Sequence, residues 1–215
     1  MDKDSYEKLK DEHGQYASWA IWDTNKEDPN KWIPDEKPLD YEKIKEKMKP
    51  NIILVGLNPS SEIKKEYSPF INFHVLKNDP RNLNPKTIEY NKKLVYAIKG
   101  SKFEGAYMTD IFPNIVEPIA DNIKVDKKEV PYYIKLLKKQ LELIGSEEPL
   151  VIAFGVAAHA MLKKHFKCIK AEHYSNRTSG SPEKVRQEKY KKIVWDAIDD
   201  AIDKSGIDIN PYLAK

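Results

Sequence analysis

The chain has one cysteine in 215 residues, Cys168. A single thiol excludes an intramolecular disulfide and a cysteine-rich zinc or iron–sulfur site. An excess of either charge is also missing: 37 Lys and Arg against 34 Asp and Glu leave a formal +3. That balance excludes a strongly basic, histone-like tail and only weakly favours an anionic partner. Long hydrophobic runs are lacking. Leu150 to Leu162 comes nearest, but His159 interrupts it and it is shorter than the ~18 apolar residues that span a bilayer. Met1-Asp2-Lys3-Asp4 is polar and does not read as a signal peptide. There is no internal repeat and no low-complexity tract. The expectation is a cytoplasmic, monomeric protein with no membrane partner.

What is present suffices for a core. Hydrophobic residues make up 40% of the chain and charged residues 33%, which excludes an intrinsically disordered polymer. At ~150 residues per domain, the length predicts one domain with extensions, or at most two small ones.

Tyr16, Trp19 and Trp22 recur at three-residue spacing, which predicts one face of a helix within 3–22. Asp23 to Pro50 is rich in Pro, Asp and Lys and reads as irregular, with a short helix near Tyr41 to Met48. Four short apolar runs follow: 51–55, 106–109, 150–154 and, weakest, 168–171. The first and third are continuously apolar, as strands buried on both faces are. Amphipathic stripes separate them, at Ile88 to Ile98, at Val130 to Ile144 and at Tyr190 to Ile202. Gly145 and Gly206 suit helix stops, and Ser181-Pro182 suits a helix start. This alternation predicts an α/β fold, a three-layer α/β/α sandwich on a central four-stranded parallel sheet. Residues 1–49 form an N-terminal helical and irregular arm packed on the domain, and 50–215 form the α/β domain.

Ligands of such sheets bind beyond the carboxyl ends of the strands. After the first strand comes Gly56-Leu57-Asn58-Pro59-Ser60. It suits an ordinary strand-exit turn. It also suits a site where Gly admits a ligand to the backbone and the Asn58 carbonyl orients a water. No Gly-Lys-Ser/Thr follows, so it is not a phosphate loop. After the fourth strand comes His173-Tyr174-Ser175-Asn176-Arg177. It suits a polar loop, or a site in which His173 stabilises developing negative charge while Ser175 and Arg177 meet phosphate. His159 and His165 are six apart, which does not put them on one helix face, so they make no metal site.

The two segments together resemble the signature motifs of the uracil-DNA glycosylase superfamily. The pairing of Asn in the first motif with His in the other is most similar to its single-strand-selective monofunctional branch. The Asn motif alone also resembles the mismatch-specific branch. Glu104 to Pro113 stands where the family has its second strand and base-recognition segment, and Val151 to Gly155 resembles its third strand. The likeness covers roughly residues 50 to 205.

The resemblance implies an enzyme that flips a base out of DNA, single-stranded DNA included, and hydrolyses its N-glycosidic bond. It implies that Asn58 positions the water and His173 bonds O2 of the departing base. Gly56 and Leu57 line the base pocket through their backbone. Phe73, or else Phe70, stacks on the base, unless both are core aromatics. Ser60 and Ser175 touch phosphate and Arg177 supports the strand. Trp19, Trp22 and Trp32 could stack on single-stranded bases or simply pack the arm. His74 reads as a second polar contact or a structural histidine. No lysine stands in either motif, which argues against lyase chemistry, and no metal or organic cofactor is implied.

Asp110 and Tyr174 depart from the family pattern, which places Asn and Pro there. An ionised carboxylate only accepts, so it can bond N3–H of uracil but repels O4. The alternatives are an amino-bearing base, another lesion, a protonated Asp110, or Asp110 as a base toward water. Tyr174 could reshape the loop that wedges into DNA. A non-catalytic nucleic-acid or nucleotide-binding module on the same fold is the second reading. An unrelated nucleotide-handling enzyme is the third.

Overall fold

The computed structural model describes residues 1–22, 39–59, 64, 69–74, 83, 85–117, 122–126, 128–174, 192, 200, 202–204 and 206–213. Its helices are α1 (Lys3–His13), α2 (Tyr41–Ile44), α3 (Pro85–Ile98), α4 (Val130–Ile144), α5 (Val156–Leu162) and α6 (Asn210–Leu213). Its strands are β1 (Ser18–Trp19), β2 (Lys49–Gly56), β3 (Ala106–Asp110), β4 (Leu150–Phe154) and β5 (Lys167–Ala171). They form one mixed sheet in the order β1-β3-β2-β4-β5. Four strands run parallel and β1 joins the β3 edge antiparallel, so the expected four-stranded sheet is five-stranded. A two-residue strand carries no periodicity, which is why it was not legible.

The same segment corrects the helix expected through Tyr16, Trp19 and Trp22. α1 ends at His13, and the Gly14 N–H closes on Lys10 O. The three aromatics are buried instead by an extended edge: Trp19 pairs with Tyr107 of β3, their rings edge to face with centroids 5.2 Å apart. The helix expected near 41–48 is one turn, started by the Asp40 carboxylate accepting from the Glu42 N–H.

Alternation along the strands sends side chains to two cores. Ile53 and Val55 of β2, Tyr107 of β3 and Val151 and Ala153 of β4 face α1, α4 and α5. Ile52 and Leu54, Met108, and Ile152 and Phe154 face α3 and α6. Helices therefore flank both faces of the sheet. Tyr6 and Leu9 of α1 are fully buried in the first core, against α4 and the aromatic Phe70. The Tyr107 hydroxyl crosses to Gln140 Oε1 of α4 at 2.8 Å, which satisfies two buried polar groups at once. α4 stops where expected, with Gly145 left-handed at φ 72° and its N–H on Glu142 O. Most of the helix expected over Tyr190 to Ile202 lies outside the described residues, as do Asp23 to Pro38. No helix among the described residues is long and apolar enough to cross a membrane.

Candidate functional site

The parallel order β3-β2-β4-β5 lines up four carboxyl ends. Register places Gly56 of β2 opposite Asp110 of β3, Val55 opposite Ala153 of β4, and Phe154 opposite Ala171 of β5. Asp110, Gly56, Gly155 and His173 therefore stand along one edge of the sheet. Strand parity puts Asp110 and Gly56 on the same face as Phe154, the face of the α3 core.

Gly56 matters for what it lacks. A Cβ built there would lie 2.2 Å from Asp110 Oδ1 and 3.8 Å from Phe73 Cε1. Asp110 thus leans over bare backbone, and a side chain at 56 would take the space its carboxylate occupies. Phe73 lies beside this point, in the α3 core. Phe70 lies on the other side, 5.4 Å between ring centroids from Tyr6. Of the two aromatics, Phe73 is the one next to Gly56.

Asp110 is 3% exposed. Asn72 Nδ2 donates to its Oδ2 at 3.0 Å, while Oδ1 accepts no hydrogen bond among the described residues. Burial pushes the Asp110 carboxyl up to about 7, and the Asn72 bond only partly opposes that. The fold therefore holds this acid about half neutral at neutral pH. Asn72 also donates to Tyr16 O at 2.8 Å, which ties the segment after α1 to the site. Phe70 and Phe73 both have left-handed backbone, φ 60° and 66°, at a cost of ~1–2 kcal/mol each. The bonds that hold them there are Ser18 Oγ to Phe70 O, Asn72 to Tyr16 O and His74 N to Ile71 O. Sequence reasoning missed Asn72. Its signal was a lone amide in an apolar, aromatic run, Phe70-Ile71-Asn72-Phe73.

Asn58 braces two strand exits. Its Nδ2 donates to Pro59 O (3.0 Å), Ile115 O (3.1 Å) and Glu117 O (2.8 Å). With the amino end committed to carbonyls after β2 and β3, the amide orientation is fixed. Oδ1 is the amide's acceptor, and none of these three bonds uses it. Nothing in the sequence announces this, because all three partners are backbone oxygens. Leu57 is buried in the first core, and its carbonyl accepts from Phe112 N at 2.9 Å.

His173 packs against Gly155, whose φ is 89°; a Cβ there would lie 3.6 Å from His173 Cβ. Burial pushes the imidazole down to about 4, so it is neutral at neutral pH and keeps one N–H to donate. Its ring stacks on Tyr174, centroids 4.5 Å apart and 22° between planes. Tyr174 meets Phe154 edge to face at 5.5 Å. Burial, and then the facing Asp110 carboxylate, hold the Tyr174 phenol well above its usual range. Tyr174 thus links the end of β5 to the end of β3 across Phe154. Val116 and Val156, after β3 and β4, are exposed apolar side chains on the same edge.

Ser60, Ser175 and Arg177 lie outside the described residues. His74 is a structural group here: its Nε2 meets Trp19 O at 3.2 Å and its ring lies against Trp22. A separate depression, lined by Glu147, Glu148, Lys163 and Lys167 among others, opens at the amino ends of β4 and β5, away from this edge. No family model matches the chain and no curated protein matches it significantly.

Proposed function

We propose that this edge binds a base flipped from DNA and hydrolyses its N-glycosidic bond, the base being uracil or another deaminated or damaged base. The observation that carries the reading is Asn58. An amide whose amino group is bound to three backbone carbonyls offers a fixed carbonyl oxygen, which suits it to hold a water by accepting its proton-bearing end. It cannot itself take a proton, so rate enhancement comes from placement and from electrostatics. The sugar becomes cationic as the base leaves as an anion, and a neutral His173 still carries one ring N–H that can donate to that anion.

Asp110 supports uracil in its neutral form. A carboxylic acid has an O–H to donate to a base carbonyl, as the N–H of the family's carboxamide does, and the raised pKa makes that form available near neutral pH. Phe73, beside Gly56, and Tyr174, against Phe154, supply flat apolar surface near the polar contact. Ser60, Ser175 and Arg177 complete the reading as phosphate contacts, and DNA is the partner it requires.

The test uses labelled oligonucleotides, single- and double-stranded, each with one uracil, hypoxanthine, xanthine or oxidised pyrimidine. Abasic sites are scored by alkaline cleavage for wild type and Asn58→Ala. Product from wild type that is lost with Asn58→Ala is the expected result. No product from any base in either strand form overturns hydrolysis; retained DNA binding would then favour the non-catalytic module, for which Asp110 and Tyr174 speak.

A further inference from the structure

Asp110 has two oxygens in unlike settings. Oδ2 is held by Asn72, and Oδ1 lies buried over Gly56 with no partner among the described residues. Asn72 Nδ2 is a donor and has no use for a proton on Oδ2. Its second bond, to Tyr16 O, keeps the amide from turning its oxygen toward Asp110. A proton on Asp110 is therefore favoured on Oδ1, the buried oxygen that has no partner among the described residues. We propose that Asn72 is a positioning residue that makes Asp110 a switchable reader: neutral, Oδ1–H donates to the carbonyl of a keto base; ionised, Oδ1 accepts from the amino group of an amino base. The proposal rests on the reading that this slot holds a base, and it goes further by giving the slot two ligand classes separated by pH.

The groups around Asp110 permit such a switch. From β2 it meets Gly56 and from the 69–74 segment Asn72 and Phe73, none of which titrates. From the segment after β5 it meets Tyr174, whose phenol is held neutral. Among the described residues, no cation faces it to lock the ionised form. Its charge is thus set by burial against one amide bond, and its midpoint of about 7 lies where cells can move it.

Two measurements test this on the full chain. The first needs no base: the Asp110 carboxyl is followed by carbon NMR against pH, in wild type and Asn72→Leu. Loss of a bond that favours the ionised form should raise the midpoint by about one pH unit. An unchanged midpoint overturns the role of Asn72. The second measures affinity for free uracil and free cytosine at pH 6 and pH 8. The uracil-to-cytosine preference should fall at least tenfold between the two in wild type and stay constant in Asp110→Asn, which fixes the donor. A preference independent of pH in wild type, or binding of neither base, overturns the switch. Neither readout requires bond cleavage. A chain that binds both bases with the expected pH dependence but cuts no DNA would keep this inference and lose only the hydrolytic one.

Discussion

Replacing Asp110 by Asn should make the protein progressively more stable, relative to wild type, as pH rises from acid to alkaline. The unfolded carboxyl ionises at 3.8, but in the fold it holds its proton up to about 7. Between those values the native state binds a proton that the unfolded state has released, so stability falls as pH rises. Three pH units at ~1.4 kcal/mol each make the full loss ~4 kcal/mol above pH 7. The substituted carboxamide would keep the shape and the bond from Asn72, through its own carbonyl oxygen, and could not ionise. Its amino group would carry one N–H more than the neutral acid's O–H, a cost that does not change with pH and shifts the whole difference without altering its slope. The assay is urea unfolding followed by tryptophan fluorescence, at intervals from pH 4.5 to 8. His13 and His173 complicate the absolute curves, because burial lowers both and each costs stability as pH falls below 6.5. They are common to both proteins and cancel in the difference. That difference should grow by ~3 kcal/mol in favour of Asp110→Asn between pH 4.5 and pH 8, since about 1 of the ~4 kcal/mol is already lost by pH 4.5. A difference that stays constant across the range would refute the reasoning that burial keeps Asp110 neutral.

Gly56→Ala should cost ~1–3 kcal/mol by forcing Asp110 aside, since its Cβ would stand 2.2 Å from Oδ1. Most of that cost should vanish in an Asp110→Ala background, as a double-mutant cycle of unfolding energies will read. Phe73→Leu should raise KM for a base-bearing oligonucleotide up to about tenfold by removing a stacking face, whereas Phe70→Leu, on the other core, should lower Tm and leave KM alone. Gly145→Ala should cost ~1 kcal/mol through backbone alone, because its Cβ would meet nothing while φ is 72°. Gly145→Asn should recover part of it in the same urea titration.

The parallel strands were legible because they are short apolar runs bounded by glycine or an acidic residue, and Val130 to Ile144 because its stripe holds for four turns. β1 was not. Two residues show no period, and Tyr16, Trp19 and Trp22 mimic a helical face while packing from an extended edge. At the site, Asn58, Asp110 and His173 were legible because they follow strands, where an α/β sheet presents its ligands. Asn72 was not, since it belongs to a connection whose course follows from Ser18, Tyr16 and two left-handed phenylalanines rather than from any local pattern. Phe73 and Phe70 could not be separated from sequence, being three residues apart in one apolar run; only their opposite cores tell them apart.

The most telling measurement is single-turnover release of uracil from a single-stranded oligonucleotide at pH 6, where Asp110 is neutral. Wild type, Asn58→Ala and Asp110→Asn are compared, with circular dichroism to confirm that each is folded. Wild type and Asp110→Asn should both release uracil, and Asn58→Ala should be at least a hundredfold slower. Release that is unaffected by Asn58→Ala, or no release from folded wild type, would contradict hydrolysis at this edge.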